Sequence, residues 1–278
     1  MASDSPDPVD SSARPAPRTL EDWLQAVGEA AAFFTCLPLG RGAPRFRAVD
    51  TLPIWPVVGL AIGLAAGIDL AIARWLGAAP WLAAVVGLLT AVVLTGALHE
   101  DGLADTTDAF GVANADRTRR LEILRDSRIG TYGALALMFS LLLRVAALTQ
   151  IIVVAGTGGG LLALAATHAL SRGAMVWPIN GSKPARSDGL GAALGSPPAA
   201  IAGWTLAVGG GIAFVALLAV APLAALLSAP LAVALAAGVT SVARQRIGGY
   251  TGDTLGATQQ VVEIAVLALV ALCVGGGR

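Results

Sequence analysis

The sequence has few charged residues, few aromatic residues and only two cysteines. Of its 278 residues 13% are charged and 5% aromatic, whereas 56% are hydrophobic and the mean hydropathy is +0.75. A chain this apolar cannot bury its hydrophobic surface in one soluble globule. Because the excess is mostly Ala, Leu, Val and Gly, the composition suits helices that pack closely in a lipid bilayer.

The basic residues and the cysteines exclude two further classes of protein. The formal net charge is zero and Lys183 is the single lysine among 18 basic residues, so no polybasic block indicates a nucleic-acid partner. Cys36 and Cys273 lie near opposite ends of the chain, which fits neither a disulfide framework nor a thiolate metal site. We interpret both cysteines as structural.

Long apolar stretches predict an all-α fold, a polytopic membrane helical bundle with about seven transmembrane helices. Six to eight helices are compatible with the pattern, because the last stretches are short or interrupted by glycine. Turns are expected near 77–80, 156–160 and 228–229. The seven stretches are 52–76, 79–98, 133–155, 159–178, 204–227, 229–245 and 258–275.

The first 36 residues differ from the rest of the chain. Residues 1–18 are rich in Asp, Pro and Ser and lack the pattern of a secretory signal, so they are predicted to be a disordered cytoplasmic tail. Residues 19–278 then form the integral membrane domain. Within it, 19–36 has apolar residues at helical spacing, which predicts an amphipathic segment, either interfacial or packed on the bundle.

Arginine and lysine are concentrated in alternate connections, before the first apolar stretch and after the second, fourth and sixth. By the positive-inside rule this predicts a cytoplasmic N-terminus in a multi-pass protein of the cell (inner) membrane. The same connections contain most of the polar motifs, which are therefore expected to face the cytoplasm. The lipid bilayer is one expected partner, and the sequence leaves oligomerisation open. The basic residues concerned are Arg41, Arg45, Arg47, Arg117, Arg119, Arg120, Arg125, Arg128, Lys183, Arg186, Arg244 and Arg246.

An acidic motif directly follows the second apolar stretch. If the helix continues, Asp101, Asp105 and Asp108 share one face, since they are spaced i, i+4 and i+7. Like charges so placed repel unless a cation compensates, and oxygen-only ligands favour Mg²⁺ or Mn²⁺ over Zn²⁺. Glu100 points about 100° away from Asp101 on such a helix. The alternatives are a solvated acidic face, or a strand on which Asp108 faces away.

Two further polar segments complete the candidate site. Since Mg²⁺ usually bridges carboxylates to phosphates, Arg125, Ser127 and Arg128, just before the third stretch, are candidate phosphate ligands, together with the amides of the following helix start. The glycine-rich segment 248–257 supplies Asp253 as a fourth candidate metal ligand.

Charged residues also occur inside the apolar stretches. Arg172 is a candidate phosphate ligand or a snorkelling or paired residue. Arg144 is expected to snorkel or to pair with Asp69 or Glu263 rather than to contact a substrate. A small-residue stripe at Gly59, Gly63 and Gly67 predicts close helix packing.

These motifs together, in this order, resemble the cobalamin synthase family. The resemblance covers all of the chain except the tail and is strongest in Asp-Gly-Leu-Ala-Asp and Asp-Ser-Arg-Ile-Gly-Thr. It implies a membrane-embedded, Mg²⁺-dependent adenosylcobinamide-GDP ribazoletransferase, whose small-molecule substrates are adenosylcobinamide-GDP and α-ribazole or its 5′-phosphate. The matching segments are 33–38, 99–108, 125–133, 170–172 and 248–257.

The resemblance carries Asp101, Asp105, Asp108, Asp126, Ser127, Arg128 and Asp253 into the candidate site. The resulting hypothesis assigns Mg²⁺ to the acids of the motif together with Asp253. Arg125, Ser127, Arg128 and Arg172 would bind the phosphates. Asp108 and Asp253 are the candidate catalytic residues, and the sequence does not choose between them as general base. Ala109 and Arg125 depart from the family pattern, but neither change removes a ligand. Arg125 stands where Lys is common, which puts the positioning of the diphosphate in doubt but not the reaction.

Two other functions fit part of the pattern. A CDP-alcohol-type phosphotransferase also places spaced Asp residues at a membrane-helix end, but its usual Ala-Arg step after Asp-Gly is missing here. An ion-coupled transporter would use the intramembrane Asp69, Arg144 and Glu263 but leaves the acidic motif without a role.

Overall fold

A computed structural model describes residues 17, 19–39, 45–195 and 197–276, and over these ranges the fold is all-α, as predicted. They contain eleven α-helices, one 3₁₀ helix at Ala48–Ile54 and no strand, only an isolated bridge between Pro184 and Tyr250. The predicted tail, except Pro17, lies outside the described residues. The α-helices are α1 (Leu20–Phe34), α2 (Trp55–Trp75), α3 (Pro80–Thr95), α4 (Leu98–Gly111), α5 (Arg117–Ile123), α6 (Thr131–Ala174), α7 (Val176–Gly181), α8 (Gly189–Leu194), α9 (Ala199–Leu218), α10 (Pro222–Ile247) and α11 (Gly252–Gly275).

The long helices are suited to a membrane. Within the described ranges five are long and apolar enough to cross one, or six if the bent pair α3 and α4 counts as one span. Their outward faces expose large apolar side chains, among them Val93, Phe139, Val153 and Trp204, each more than half exposed. Contact of such a surface with water is unfavourable in free energy, whereas contact with lipid tails is not. The chain is therefore a multi-pass membrane protein.

Helix α6 is a hairpin rather than one straight span. Gly156 has φ 77° and ψ 176°, outside the helical region. Residues 144 and 168 would lie about 36 Å apart on a straight helix. Instead, both side chains contact one carboxylate, with Arg144 Nη1 at 3.0 Å and His168 Nδ1 at 3.2 Å from Glu263. The arms 131–155 and 157–174 therefore lie side by side, and counting them separately brings the five or six candidate spans to six or seven, within the predicted range of six to eight.

The predicted turn at 228–229 is wrong. The break between α9 and α10 lies at 219–221, and α10 starts with Pro222 at its first position. Proline suits that position because its missing N–H has no helical partner there. Pro230, next to the predicted turn, instead lies within α10.

Between α3 and α4 the chain bends by 87°. Gly96 and Ala97 both have positive φ at this bend, 59° and 57°. Only α3 of the pair is apolar, whereas α4 carries the whole acidic motif, so we place α4 outside the membrane-spanning part. The predicted helical continuation of the motif is confirmed, after this bend.

Two cavities mark the two ends of the bundle. One is lined by the turns at 154–159 and 219–222 and by residues 273–274. The other is lined by residues from α4, from the segment after α6 and from the start of α11. Since the connections alternate between the ends, the acidic motif, the 125–133 loop and the glycine-rich segment lie at the same end of the bundle as the second cavity. We call this end the polar end.

Helix α1 confirms the predicted helix within segment 19–36. Thr19 caps it by accepting a hydrogen bond from the Asp22 amide at 3.1 Å. Ala26, Ala30 and Phe34 are buried against the bundle, whereas Trp23 is exposed. The helix therefore packs on the bundle with one face and leaves an apolar face free for the membrane interface.

The predicted small-residue stripe on α2 is confirmed. A Cβ at Gly59 would collide with the backbone oxygen of His168, and one at Gly63 would lie 2.5 Å from that of Leu164. Helix α2 therefore crosses the second arm of α6 in backbone contact, which side chains at these positions would prevent.

Gly63→Ala is expected to destabilise the protein by about 1–3 kcal/mol, because the added Cβ forces two backbones apart. The melting temperature in detergent should fall. Gly211→Ala is the matched control, since a Cβ at Gly211 has nothing within 4 Å. Equal melting temperatures for both variants would contradict the packing assigned to Gly63.

Candidate active site at the polar end

The three aspartates of the acidic motif occupy different environments along α4. Asp101 is exposed, Asp105 is half-buried and Asp108 is buried. Glu100 points the other way, into the bundle, where its carboxylate accepts a hydrogen bond from Arg144 at 3.1 Å. The predicted division between Glu100 and Asp101 is therefore confirmed.

The carboxylate of Asp108 caps the N-terminus of α6. Its two oxygens accept hydrogen bonds from the amides of Gly130 at 2.7 Å and Gly133 at 2.9 Å. A Cβ at either glycine would collide with this carboxylate. The sequence suggested that these helix-start amides face a substrate anion, but the anion they bind is Asp108 itself.

Asp101 and Asp105 have carboxylates without a hydrogen bond or ion pair to any other described side chain. Burial, together with the negative charges of Asp101, Asp253, Asp108 and Asp126, raises the pKa of Asp105 to about 7. A carboxylate in this position favours either a proton or a cation.

Asp253 joins this group from another helix. It lies in the first turn of α11, whose cap Thr251 donates a hydrogen bond to it at 3.1 Å. Arg186 approaches its carboxylate at 3.2 Å. Asp101, Arg186 and Asp253 line the same cavity. Gly102 of α4 and Gly256 of α11 allow the two helices to approach this closely, since a Cβ on Gly102 would lie 3.1 Å from the Cα of Gly256.

The arginines of the 125–133 loop already have acidic partners. Arg125 contacts Asp188 at 2.7 Å, and Arg128 contacts Asp126 at 2.6 Å. Hydrogen bonds from Arg128 lower the pKa of Asp126 to about 2. Ser127 is exposed. Since exposed ion pairs are weak, phosphate oxygens can compete with the two carboxylates for these guanidinium groups.

Arg172 lies in a different environment from the other predicted phosphate ligands. Its side chain is buried, with its guanidinium 5.6 Å from the Phe34 ring centre and 3.0 Å from His168 Nδ1. It belongs to a buried polar cluster that sequence reasoning largely missed, formed by Glu100, Ser140, Arg144, His168, Ser171, Arg172, Gln259, Gln260 and Glu263.

The intramembrane charges have structural partners. Arg144 pairs with Glu263, one of the two partners expected for it, whereas Asp69 accepts a hydrogen bond from Thr90 at 2.8 Å. The ion pair satisfies the charges of Arg144 and Glu263 within the bundle. The transporter alternative therefore loses two of the three residues that suggested it.

The carboxylate oxygens at the polar end are ligands of the type that Mg²⁺ prefers, but the side chains are too far apart to enclose the ion by themselves. Among the described residues, no three His, Cys, Asp or Glu side chains lie close enough together to hold one metal ion. The unpartnered carboxylates of Asp101 and Asp105 and the raised pKa of Asp105 nevertheless fit a hard cation.

Arg186 is the site residue that sequence reasoning missed. The sequence showed it only as one basic residue of a loop. Its position depends on backbone pairing between that loop and the glycine-rich segment, with the Ala185 amide donating to Tyr250 O at 2.8 Å and the Tyr250 amide donating to Lys183 O at 3.1 Å. Gly249 permits this approach, because a Cβ there would collide with Lys183 O.

Comparisons with known proteins place the chain among relatives of one family. The family model described as cobalamin-5-phosphate synthase matches residues 26–271. An adenosylcobinamide-GDP ribazoletransferase of Azorhizobium caulinodans is 46% identical over 250 residues, covering 88% of this chain and 94% of the relative. One of Sinorhizobium medicae is 39% identical over 265 residues, covering 92% and 99%. No solved structure matches the chain.

The match to the family model extends from α1 into α11 and includes all three polar motifs. The relatives are covered over nearly their whole length. The chain therefore belongs to the cobalamin-5-phosphate synthase family.

Proposed function

We propose that the protein transfers the adenosylcobinamide-phosphate group from adenosylcobinamide-GDP to α-ribazole or α-ribazole 5′-phosphate. The products are GMP and adenosylcobalamin or its 5′-phosphate. Family membership and the names of the relatives support this activity. The structural observation that supports it is that Asp101, Arg186 and Asp253 line one cavity. Asp105 lies close enough for the charges of Asp101 and Asp253 to raise the pKa of its carboxyl group.

The reaction exchanges one phosphorus–oxygen bond for another. A ribose hydroxyl oxygen of the acceptor bonds to the phosphorus linked to cobinamide, and the bond from that phosphorus to the bridging oxygen of GMP breaks. The hydroxyl proton passes to a base. Asp253 is our choice for the base, because it lines the cavity, whereas both oxygens of Asp108 accept amide hydrogens.

Asp101 and Asp105 would supply two carboxylates to Mg²⁺, whose other ligands would come from substrate phosphate and water, while Asp253 serves as the base and Asp108 fixes the adjacent loop. This changes the role that the sequence gave to Asp108. When bound, the ion would neutralise charge on the diphosphate and on the departing GMP. The protein contributes a rigid helix that holds Asp101 and Asp105 one turn apart, and a second helix start that brings Asp253 to them.

The loop arginines would bind the diphosphate. Arg125 and Arg128 are exposed and held only by exposed partners, so they can turn towards phosphate oxygens, and Ser127 lies between them with a free hydroxyl. Arg172 is 1% exposed. Its proposed role is therefore to hold Phe34 and His168 beneath the site rather than to contact phosphate.

The polar end is proposed to face the cytoplasm of a cell with an inner membrane. The concentration of arginine in the connections at this end supports that orientation. Soluble nucleotide substrates would then reach the site directly, with the bilayer as platform rather than substrate.

Asp101→Asn and Asp105→Asn are expected to lower GMP release about 100-fold at limiting Mg²⁺, because each removes charge that holds the cation. Glu122→Gln is the control, since Glu122 is an exposed acid paired with Arg119 on α5. Turnover would be followed in detergent with both substrates present. Near wild-type turnover by either Asp variant at limiting Mg²⁺ would remove that residue from the metal site.

The raised pKa of Asp105 predicts a pH-dependent stability without Mg²⁺. The folded protein keeps this proton up to about pH 7, whereas the unfolded chain releases it near its ordinary pKa of 3.8. The contribution of Asp105 to the free energy of unfolding is therefore fully present below pH 4, where both states bind the proton. It is lost as the pH rises through 7. In EDTA the melting temperature of Asp105→Asn should exceed that of wild type by more at pH 8 than at pH 5. A pH-independent difference would contradict this.

Asp108→Asn separates positioning from metal binding. An amide has one acceptor oxygen, so one of the two helix-start amides loses its partner and the 125–133 loop loosens. We expect lower turnover and a higher KM for adenosylcobinamide-GDP. The Mg²⁺ concentration giving half-maximal rate should stay within about twofold of wild type, whereas a larger shift would make Asp108 a metal ligand.

A further inference from the structure

The cavity at the polar end has two unlike walls. One is apolar, with Phe33 of α1, Leu98 of α4, Met175 after α6 and Leu255 of α11. The other is charged, with Asp101, Arg186 and Asp253. A cavity built in this way suits a ligand that has a flat apolar body attached to a polar group.

The apolar wall is preorganised. The Phe33 ring stacks on Trp55 with centroids 5.6 Å apart and planes 16° apart, and it meets Phe34 edge-on at 4.7 Å. Both partners are buried, so the ring cannot easily swing away. Phe33 therefore presents a fixed aromatic surface to whatever enters the cavity.

The size of the cavity limits what enters. Its volume is about 140 Å³. An apolar cavity of about 150 Å³ holds benzene, so this one takes an aromatic base with part of it at the mouth and excludes a corrinoid ring. Guanine carries several hydrogen-bonding groups on its edge, and those that do not reach the charged wall would be left unpaired against the apolar one. A benzimidazole base carries few and loses little on burial.

We propose that this cavity is the acceptor subsite and takes the benzimidazole base of α-ribazole against Phe33, an inference that rests on the proposed function. The ribose attached to the base then lies at the mouth, beside Asp101 and Asp253. A 5′-phosphate on that ribose, where present, meets Arg186. The base thus sets the distance between the attacking hydroxyl and the acids on α4 and α11.

The test measures the KM for each substrate separately. Phe33→Ala removes the aromatic wall and should raise the KM for α-ribazole about tenfold or more, with the KM for adenosylcobinamide-GDP within about twofold. Leu98→Trp should act alike by narrowing the cavity from its rim, since Leu98 is 40% exposed and its replacement leaves the core intact. Trp23→Ala, on the exposed face of α1, is the control and should change neither KM.

The opposite pattern would overturn the proposal. A larger rise in the KM for adenosylcobinamide-GDP would assign the cavity to guanine, and unchanged values for both substrates in Leu98→Trp would leave the cavity without a substrate. If Phe33→Ala does not fold, Leu98→Trp decides.

A binding measurement separates this inference from the proposed function. α-Ribazole alone, added to the detergent-purified protein without adenosylcobinamide-GDP, should raise the melting temperature of wild type and of Trp23→Ala but not of Leu98→Trp. GMP in place of α-ribazole is the comparison and should give the same shift in all three. Absence of GMP release by wild type would reject the activity, whereas failure of α-ribazole to bind wild type would reject the subsite.

Discussion

The fold depends on one buried carboxylate, that of Glu263. It is fully buried on α11 and contacts Arg144 and His168, which lie on opposite arms of the α6 hairpin. Removing one partner of a buried pair typically costs about 3–5 kcal/mol, because the other charge is left uncompensated. The contact therefore fixes how the two arms and α11 lie together, in an interior where apolar helices alone would slide past one another.

The same network determines which way the acidic motif faces. Arg144 also holds Glu100, and Gln260 donates a second hydrogen bond to Glu100 at 3.1 Å. Since Glu100 is drawn inward, the next residue, Asp101, is turned outward, and Asp105 follows one turn later. An ion-paired buried carboxylate, Glu100, and an unpaired carboxylate of the candidate site, Asp101, thus occupy adjacent positions of α4, and the first sets the direction of the second.

Much of this arrangement was readable from the sequence, because it follows from local periodicity. The seven apolar stretches, the helical continuation through Asp101 and Asp105 and the Gly63 stripe depend on residues close together in the chain. The turn near Pro230 was misread because proline is tolerated within α10, while Pro222 begins that helix. The capping role of Asp108 and the contact of Arg186 with Asp253 join residues 22 or more positions apart, for which periodicity gives no signal.

The bilayer explains why the candidate site lies where it does. Within the hydrocarbon layer a charge must be paired and the backbone must be helical, and the pair of Arg144 and Glu263 obeys this rule. Unpaired carboxylates and glycine-rich loops are tolerated only at the helix ends. A membrane enzyme that acts on diphosphates therefore has its unpaired charges at one end of the bundle. The paired charges inside the bundle hold together the helices on which the unpaired charges lie.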